Sequence, residues 1–273
     1  MNITCNICPH ACELSEGSHG YCGVRSVQNG EVVLDTYGYL TSIALDPIEK
    51  KPLRRFHPGS YILSVGSYGC NMRCPFCQNH VISMPKKRPN GVMLSPNELI
   101  ELANQERIHG NIGIAYTYNE PFIAFEYIRD CMILAKENGL YNVVVTNGYI
   151  NMGKLEELLP YIDAMNIDLK GFRSAYYQKL GGDLESVKKT IACATKHVHV
   201  EVTTLLVTGE HCIEEIEEEA KWLASLDPQL PLHLTRFFPN HHMRDRGMTP
   251  LPWIEECTEV AKKHLAYVYK GNC

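Results

Sequence analysis

The sequence contains no long apolar run. None reaches the roughly 18 residues a membrane-crossing helix needs, so a helical span is excluded. Basic residues are also scarce: 26 Lys and Arg stand against 31 Asp and Glu, for a formal net charge of −5. A phosphate-binding surface ordinarily shows as a basic excess, which makes nucleic acid a poor fit as partner. The compact basic runs Lys86-Lys87-Arg88 and Arg54-Arg55 read as solvated loops. A third absence lies in the opening stretch, MNITCNICPHACELSEGSHG, where no basic segment precedes an apolar core. The expectation is therefore a cytoplasmic protein in a reducing compartment.

Cysteine, by contrast, is abundant. There are twelve, and seven fall in two tight groups. In a reducing compartment such clustering points to metal rather than to disulfides. Cys5, Cys8, Cys12 and Cys22 lie in a Cys- and Gly-rich stretch that suits a metal-stapled knuckle. Four thiolates can close a tetrahedral zinc site or hold a complete iron–sulfur cluster. The second group, in YGCNMRCPFCQN, has only Cys70, Cys74 and Cys77. Zinc held by these three would need a fourth ligand or a water, whereas a [4Fe–4S] cluster on three cysteinates leaves one iron open to a small molecule. Cys131, Cys193, Cys212 and Cys257 occur singly on predicted helices and read as small buried hydrophobes.

Organisation follows from the texture of the chain. Residues 1–55 read as a cysteine-rich segment followed by a Pro-containing connector, LTSIALDPIEKKPLRRFHPGS, and residues 56–273 as the main body. There, apolar strands (YILSVGSYG, IGIAYTY, NVVVTNG, AMNIDL, HVEVTTLLV, LHLTRFF, AYVYKG) alternate with amphipathic helical segments such as SPNELIELANQE and PFIAFEYIRDCMILAKENG. The run IEEIEEE reads as a solvated helix face. Strands too apolar to alternate cleanly, separated by helices of ten to twenty residues, predict a parallel sheet covered by helices. The fold class is α/β, a partial (β/α)6 TIM-like barrel, with a doubly wound sheet as the alternative. Chemistry in either architecture sits at the carboxyl ends of strands. There the sequence places Cys70, Asn119-Glu120, Thr146-Asn147, Asp168 and Lys170, with Glu201 and Thr203 on one face of the fifth strand and Arg236 in the sixth.

Cys70-x3-Cys74-x-Phe76-Cys77, on the loop after the first barrel strand, resembles the signature of radical S-adenosylmethionine (SAM) enzymes, which have an aromatic before the third cysteine. The resemblance implies that Cys70, Cys74 and Cys77 hold a [4Fe–4S] cluster. It also implies that SAM binds the open iron and that reductive cleavage gives a 5′-deoxyadenosyl radical that abstracts hydrogen from a substrate. TYNEP, with Asn119 and Glu120, stands where the family contacts the methionine part of SAM, and VVVTNGY and NIDLKG resemble segments of pyruvate formate-lyase activating enzymes. Asn147, Asp168 and Lys170 then fall at cofactor or substrate contacts, and Phe76, Glu201, Thr203 and Arg236 join the cofactor-binding set. Val145 and Phe238 depart from the polar residues that relatives carry at those places. The combination of CNICPHAC, GYCGVR and GCNMRCPFCQNHVIS resembles the AmmeMemoRadiSam system radical enzymes.

The implied partners are an external electron donor such as flavodoxin or ferredoxin and a protein, peptide or small-molecule substrate. The N-terminal cysteines would carry zinc or an auxiliary cluster. Two other classes stay open from sequence: a zinc or iron–sulfur electron-transfer module without adenosyl chemistry, and an RNA-modifying radical enzyme.

Overall fold

The computed structural model describes residues 2–273. One central sheet contains eight strands: β1 (Ser42–Pro47), β2 (Tyr61–Gly66), β3 (Asn111–Tyr116), β4 (Tyr141–Thr146), β5 (Ala164–Asp168), β6 (His199–Leu206), β7 (Leu232–Arg236) and β8 (Val268–Gly271). Between them run helices α1 (Pro96–Gln105), α2 (Phe125–Glu137), α3 (Met152–Leu158), α4 (Ser174–Lys179), α5 (Leu184–Ala194), α6 (Ile213–Leu226) and α7 (Leu251–Ala261). Strand order in the sheet is strand order in the chain. β1 pairs antiparallel with β2, and every later pairing is parallel.

That order decides between the two architectures. A right-handed crossover between adjacent parallel strands puts its helix on a fixed face. When the order never reverses, every helix falls on the same side and the sheet curls into a barrel wall; a doubly wound sheet needs a reversal point. Here β1 and β8 remain unpaired edges, so the barrel is partial. The helices start where local chemistry dictates. Ser95 Oγ accepts from Glu98 N (3.3 Å) while the Glu98 carboxylate accepts from Ser95 N (2.7 Å), and Pro96 fills the first helical position.

Part of the expected connector is a strand: residues 42–47 form β1, whose edge position accommodates Pro47. The chain then enters the open barrel from below. Ile48 and Leu53 pack against Ile62, Ala115, Val143 and Ala164, one residue from each of β2 to β5, forming an apolar floor. Both Ile48 and Leu53 are fully buried, each contributing roughly 1.5–3 kcal/mol.

The cysteine-rich segment folds into two small hairpins, Ile3–Thr4 with Glu13–Leu14 and Arg25–Gln28 with Glu31–Leu34. The second turns at Asn29-Gly30, both at positive φ, the conformation a two-residue hairpin favours. Arg25 docks this segment on the barrel. It is buried, donates from Nε to Ile123 O (2.9 Å) and forms a forked ion pair with Glu126 of α2.

Two expectations are corrected in α6 and its surroundings. IEEIEEE is not wholly solvated, because Glu215 and Glu219, four residues apart, share the inward face and are buried. Glu215 accepts from Phe172 N (2.7 Å) and pairs with Arg173 (2.8 Å); Glu219 accepts from Thr204 Oγ1 (2.5 Å). Of the single cysteines, Cys131 and Cys257 are buried on helices as expected and Cys193 is half-buried, but Cys212 is exposed at the start of α6.

Candidate functional site

A cavity of about 550 Å³ opens at the carboxyl ends of the strands. The loop after β2 supplies Cys70, Cys74, Phe76 and Cys77 to its wall; later strand ends supply Asn119, Glu120, Asn147, Asp168, Lys170 and Thr203. The loop is seated on the N-terminal segment through Gly69, at φ +90°. A Cβ there would meet Val24 Cγ1 at 2.7 Å and Cys22 O at 2.8 Å. Only glycine fits both constraints.

The thiols are surrounded by groups that suit thiolate ligands. Met72 N lies 3.3 Å and Asn147 Nδ2 3.7 Å from Cys70 Sγ. Burial, reinforced by the Glu120 charge, pushes the Cys70 thiol well above its usual range; burial pushes Cys74 up to about 11, opposed by Lys170. Buried sulfurs of this kind ionise when a cation compensates them, which a bound metal centre does. Among the described residues no three His, Cys, Asp or Glu side chains converge on a single metal ion. A four-iron cluster makes a different demand, since it spreads its thiolates over separate irons. The chemistry of the donor set fits that group.

Glu120 and Asn119 work behind the wall as well as at it. The Glu120 carboxylate accepts from Thr146 Oγ1 (2.7 Å), Phe122 N (3.1 Å) and Asn147 N (2.8 Å). Burial raises it to about 7 despite these donors and Lys170. Asn119 accepts from Ser67 N (3.0 Å) and donates to Gly69 O (3.1 Å), clamping both sides of the approach to Cys70. Asn147 donates to Asn71 Oδ1 (2.9 Å), and Asn71 donates to Tyr149 O (2.7 Å). Lys170 and Asp168 form a 2.7 Å pair. Burial disfavours the ammonium, but Asp168 and the neighbouring sulfurs outweigh it and raise Lys170. Among the polar expectations, Val145 lines the cavity without a polar group, while Phe238 lies outside the wall under the Arg236 guanidinium.

Two of the expected residues are not brought to the cavity wall. Arg236 donates from Nε to Thr249 O (2.8 Å), holding the chain between β7 and α7. Glu201 does face the barrel interior with Thr203, but below the cavity and with no exposure. One of its oxygens accepts from Arg55 N (2.8 Å) and His199 Nε2 (3.0 Å), the other from Arg54 N (3.0 Å) and His233 Nε2 (2.6 Å). Burial works against ionisation, but these four donors hold the carboxyl at about 2. His233 and Thr235 line the cavity and were missed by sequence reasoning. Their signal was there: LHLTR alternates, so His233 and Thr235 share a face.

At the other cysteine group, Cys5, Cys8, Cys12 and Cys22 line a separate cavity of about 10 Å³ with Arg25 and His10. Tyr21 N points to Cys12 Sγ (3.4 Å), and burial raises Cys8 to about 11. His10 stacks on Tyr21 at 4.2 Å and bonds Asn71 O at 2.8 Å, so this segment touches the three-cysteine loop directly.

Residues 64–223, from the first parallel strand through most of α6, match the Radical SAM superfamily. The chain belongs to that superfamily. An uncharacterized protein of Methanocaldococcus jannaschii is 38% identical over 99% of this chain and 81% of its own length. A putative glycyl-radical enzyme activating enzyme of the same organism is 25% identical over 74% of this chain and 77% of its own. Among solved structures, Streptococcus suis SuiB bound to S-adenosylmethionine superposes with a TM-score of 0.61 at 15% identity. That match covers 78% of this chain but only 52% of SuiB, and it shows the fold alone. The radical SAM barrel therefore accounts for the parallel wall, and the family implies a [4Fe–4S] cluster and SAM.

Proposed function

We propose that this radical SAM protein is an enzyme that removes a hydrogen atom from a protein, peptide or small-molecule substrate held in the 550 Å³ cavity. One observation carries the reading: Cys70, Cys74 and Cys77 face a single cavity at the carboxyl ends of parallel strands, with N–H donors already aimed at Cys70. Those three cysteines would hold the cluster. When bound there, the cluster supplies the electron that splits SAM and so generates the hydrogen-abstracting species.

The chain's own residues do the positioning. Asn119 clamps the backbone before Cys70, and Glu120 braces Thr146 and Asn147, fixing the Asn147 amide beside Cys70. Phe76 closes the wall between the second and third cysteines, and the Asp168–Lys170 pair keeps an ammonium in the cavity at a fixed place. Likeness to a putative glycyl-radical enzyme activating enzyme supports activase-type chemistry on a partner's backbone glycine.

The same proposal includes an external electron donor of the flavodoxin or ferredoxin type and a cytoplasmic location; no described helix is long and apolar enough to cross a membrane. It divides the chain into a cysteine-rich segment, 1–55, and the barrel, 56–273. It places zinc or an auxiliary cluster at Cys5, Cys8, Cys12 and Cys22. Anaerobic reconstitution with iron and sulfide, followed by reduction with SAM present, tests it. 5′-Deoxyadenosine is expected from the native chain and its loss from Cys74→Ala. A colourless zinc form that forms no 5′-deoxyadenosine under any reducing condition overturns the reading in favour of a metal-binding module.

A further inference from the structure

The buried Glu201 carboxylate does more than fill the barrel floor. A single oxygen, Oε2, accepts both from Arg54 N at 3.0 Å and from His233 Nε2 at 2.6 Å. The connector and β7 are thereby tied to one atom, and both residues line the cavity. The bond to Glu201 also fixes the imidazole. With Nε2 donating, Nδ1 is the nitrogen left over, and among the described residues it has no hydrogen-bond partner.

The Arg54 guanidinium is in the same condition. Among the described residues it meets no carboxylate and no hydrogen-bond acceptor, although the backbone of the same residue is pinned. Other charges on the wall are engaged within the chain. Glu49 accepts from Gly59 N (2.7 Å), Lys50 pairs with Asp46 (3.1 Å), Asp168 pairs with Lys170 (2.7 Å) and Lys270 with Glu255. What remains is one planar cationic fork and one imidazole nitrogen, on two residues that bond the same buried carboxylate oxygen.

We propose that Arg54, beside His233 on the cavity wall, forms an anion subsite that receives a carboxylate or phosphate group of the substrate. The inference rests on the cavity being the substrate site. A guanidinium fork matches the two oxygens of either anion, and the His233 ring on the same cavity wall reports its arrival. An anionic anchor there would hold a substrate in the same cavity that Cys70, Cys74 and Cys77 line.

Binding can be read without turnover. The full chain, labelled with 15N-histidine, is titrated with acetate and, separately, with inorganic phosphate, and the His233 resonance is assigned by its loss in His233→Asn. A saturable shift of that resonance with a dissociation constant in the ~1 mM range is expected for the better anion, and comparison of the two arms identifies which group the site takes. Arg54→Gln is expected to weaken that binding about tenfold, the factor that roughly 1.4 kcal/mol of lost charge-assisted bonding gives, and Arg54→Lys to restore part of it. The Arg54 guanidinium has no partner in the fold, so these variants keep the native structure. Absence of a saturable His233 shift with either anion, or equal affinity in Arg54→Gln, overturns the subsite. Neither result depends on 5′-deoxyadenosine formation, so failure of the subsite and failure of the radical SAM enzyme reading are separately visible.

Discussion

Replacing Glu201 with glutamine keeps the shape of the side chain and removes its charge, and the cost follows from the four donors around it. An amide offers one acceptor oxygen and one NH2 group. If the oxygen takes the place of Oε1, it still accepts from Arg55 N and His199, but NH2 then faces Arg54 N and His233. The opposite orientation leaves Arg55 N facing NH2. A histidine can change tautomer and accept; a backbone N–H cannot. One donor is left confronting another in a fully buried position whichever way the amide turns.

Hydrogen bonds to a charged acceptor contribute about 1.5–3 kcal/mol, and breaking a buried charged network costs about 3–5 kcal/mol. The depressed pKa expresses the same four bonds as a titration. Glu201 is held at about 2 against an ordinary 4.5, and that difference is worth about 3 kcal/mol. Because the folded pKa is depressed, this stabilisation is fully present above the unfolded value and is lost as pH falls from about 4.5 toward 2. Glu201→Gln is therefore expected to lower stability by about 3–5 kcal/mol at pH 7, or the melting temperature by roughly 6–20 °C. The deficit should shrink steadily below pH 4.5. Urea denaturation of both proteins between pH 7 and pH 3 measures this directly. A deficit below about 1 kcal/mol, or one unchanged across that pH range, refutes the view of the floor as a charge held by four donors.

Glu219 makes the opposite prediction: burial, and the nearby Glu215 charge, raise it to about 8 against the Thr204 donor. The folded state keeps a proton that the unfolded chain releases above about 4.5, so stability falls as pH rises from there to 8, and Glu219→Gln is expected to be more stable than the native chain at pH 8.5 by about 5 kcal/mol and nearly equal at pH 4. Thermal denaturation at the two pH values checks the sign. Gly69→Ala forces a side chain into the left-handed region and against Val24 and Cys22 O, which together cost about 2–4 kcal/mol; chemical denaturation gives the cost, and iron content after reconstitution should fall with it. Asn147→Ala removes the donor to Asn71 and the acceptor for Tyr149 N (2.9 Å), an expected loss of about 1–3 kcal/mol that equilibrium unfolding resolves.

The parallel wall and the three-cysteine loop were legible because each has a local signal: apolar strands of fixed length, helix caps such as Ser95-Pro96, and a Cys spacing that chain direction alone places on one loop. What escaped needed contacts between distant segments. Residues 42–47 looked like a connector because Pro47 speaks against a central strand, yet an edge strand tolerates it. Glu215 and Glu219 looked solvated because five of the seven residues in IEEIEEE are acidic; only the tertiary positions of Phe172, Arg173 and Thr204 show which face turns inward. His233 was passed over because a lone histidine in a strand has no meaning until Glu201, on the neighbouring strand, is seen 2.6 Å away.

The same strand explains why the interior is built in only one way. Along β6, Glu201, Thr203 and Leu205 face the barrel, while Thr204 faces α6 and Glu219. Side chains alternate with a period of two, so a one-residue slip of β6 exchanges the faces completely. Glu201 would then turn toward the helix layer, away from His199, His233 and the two backbone donors, and Thr204 would leave Glu219 for the barrel interior. Most two-sided buried strands are apolar on both faces and tolerate such a slip better, since one aliphatic residue replaces another. β6 carries a polar pair on each face, and both pairs fail together in the wrong register. The buried carboxylates thus specify the strand's register as well as stabilising it, and that register determines that Thr203 and Leu205 line the cavity while Glu201 lies beneath it.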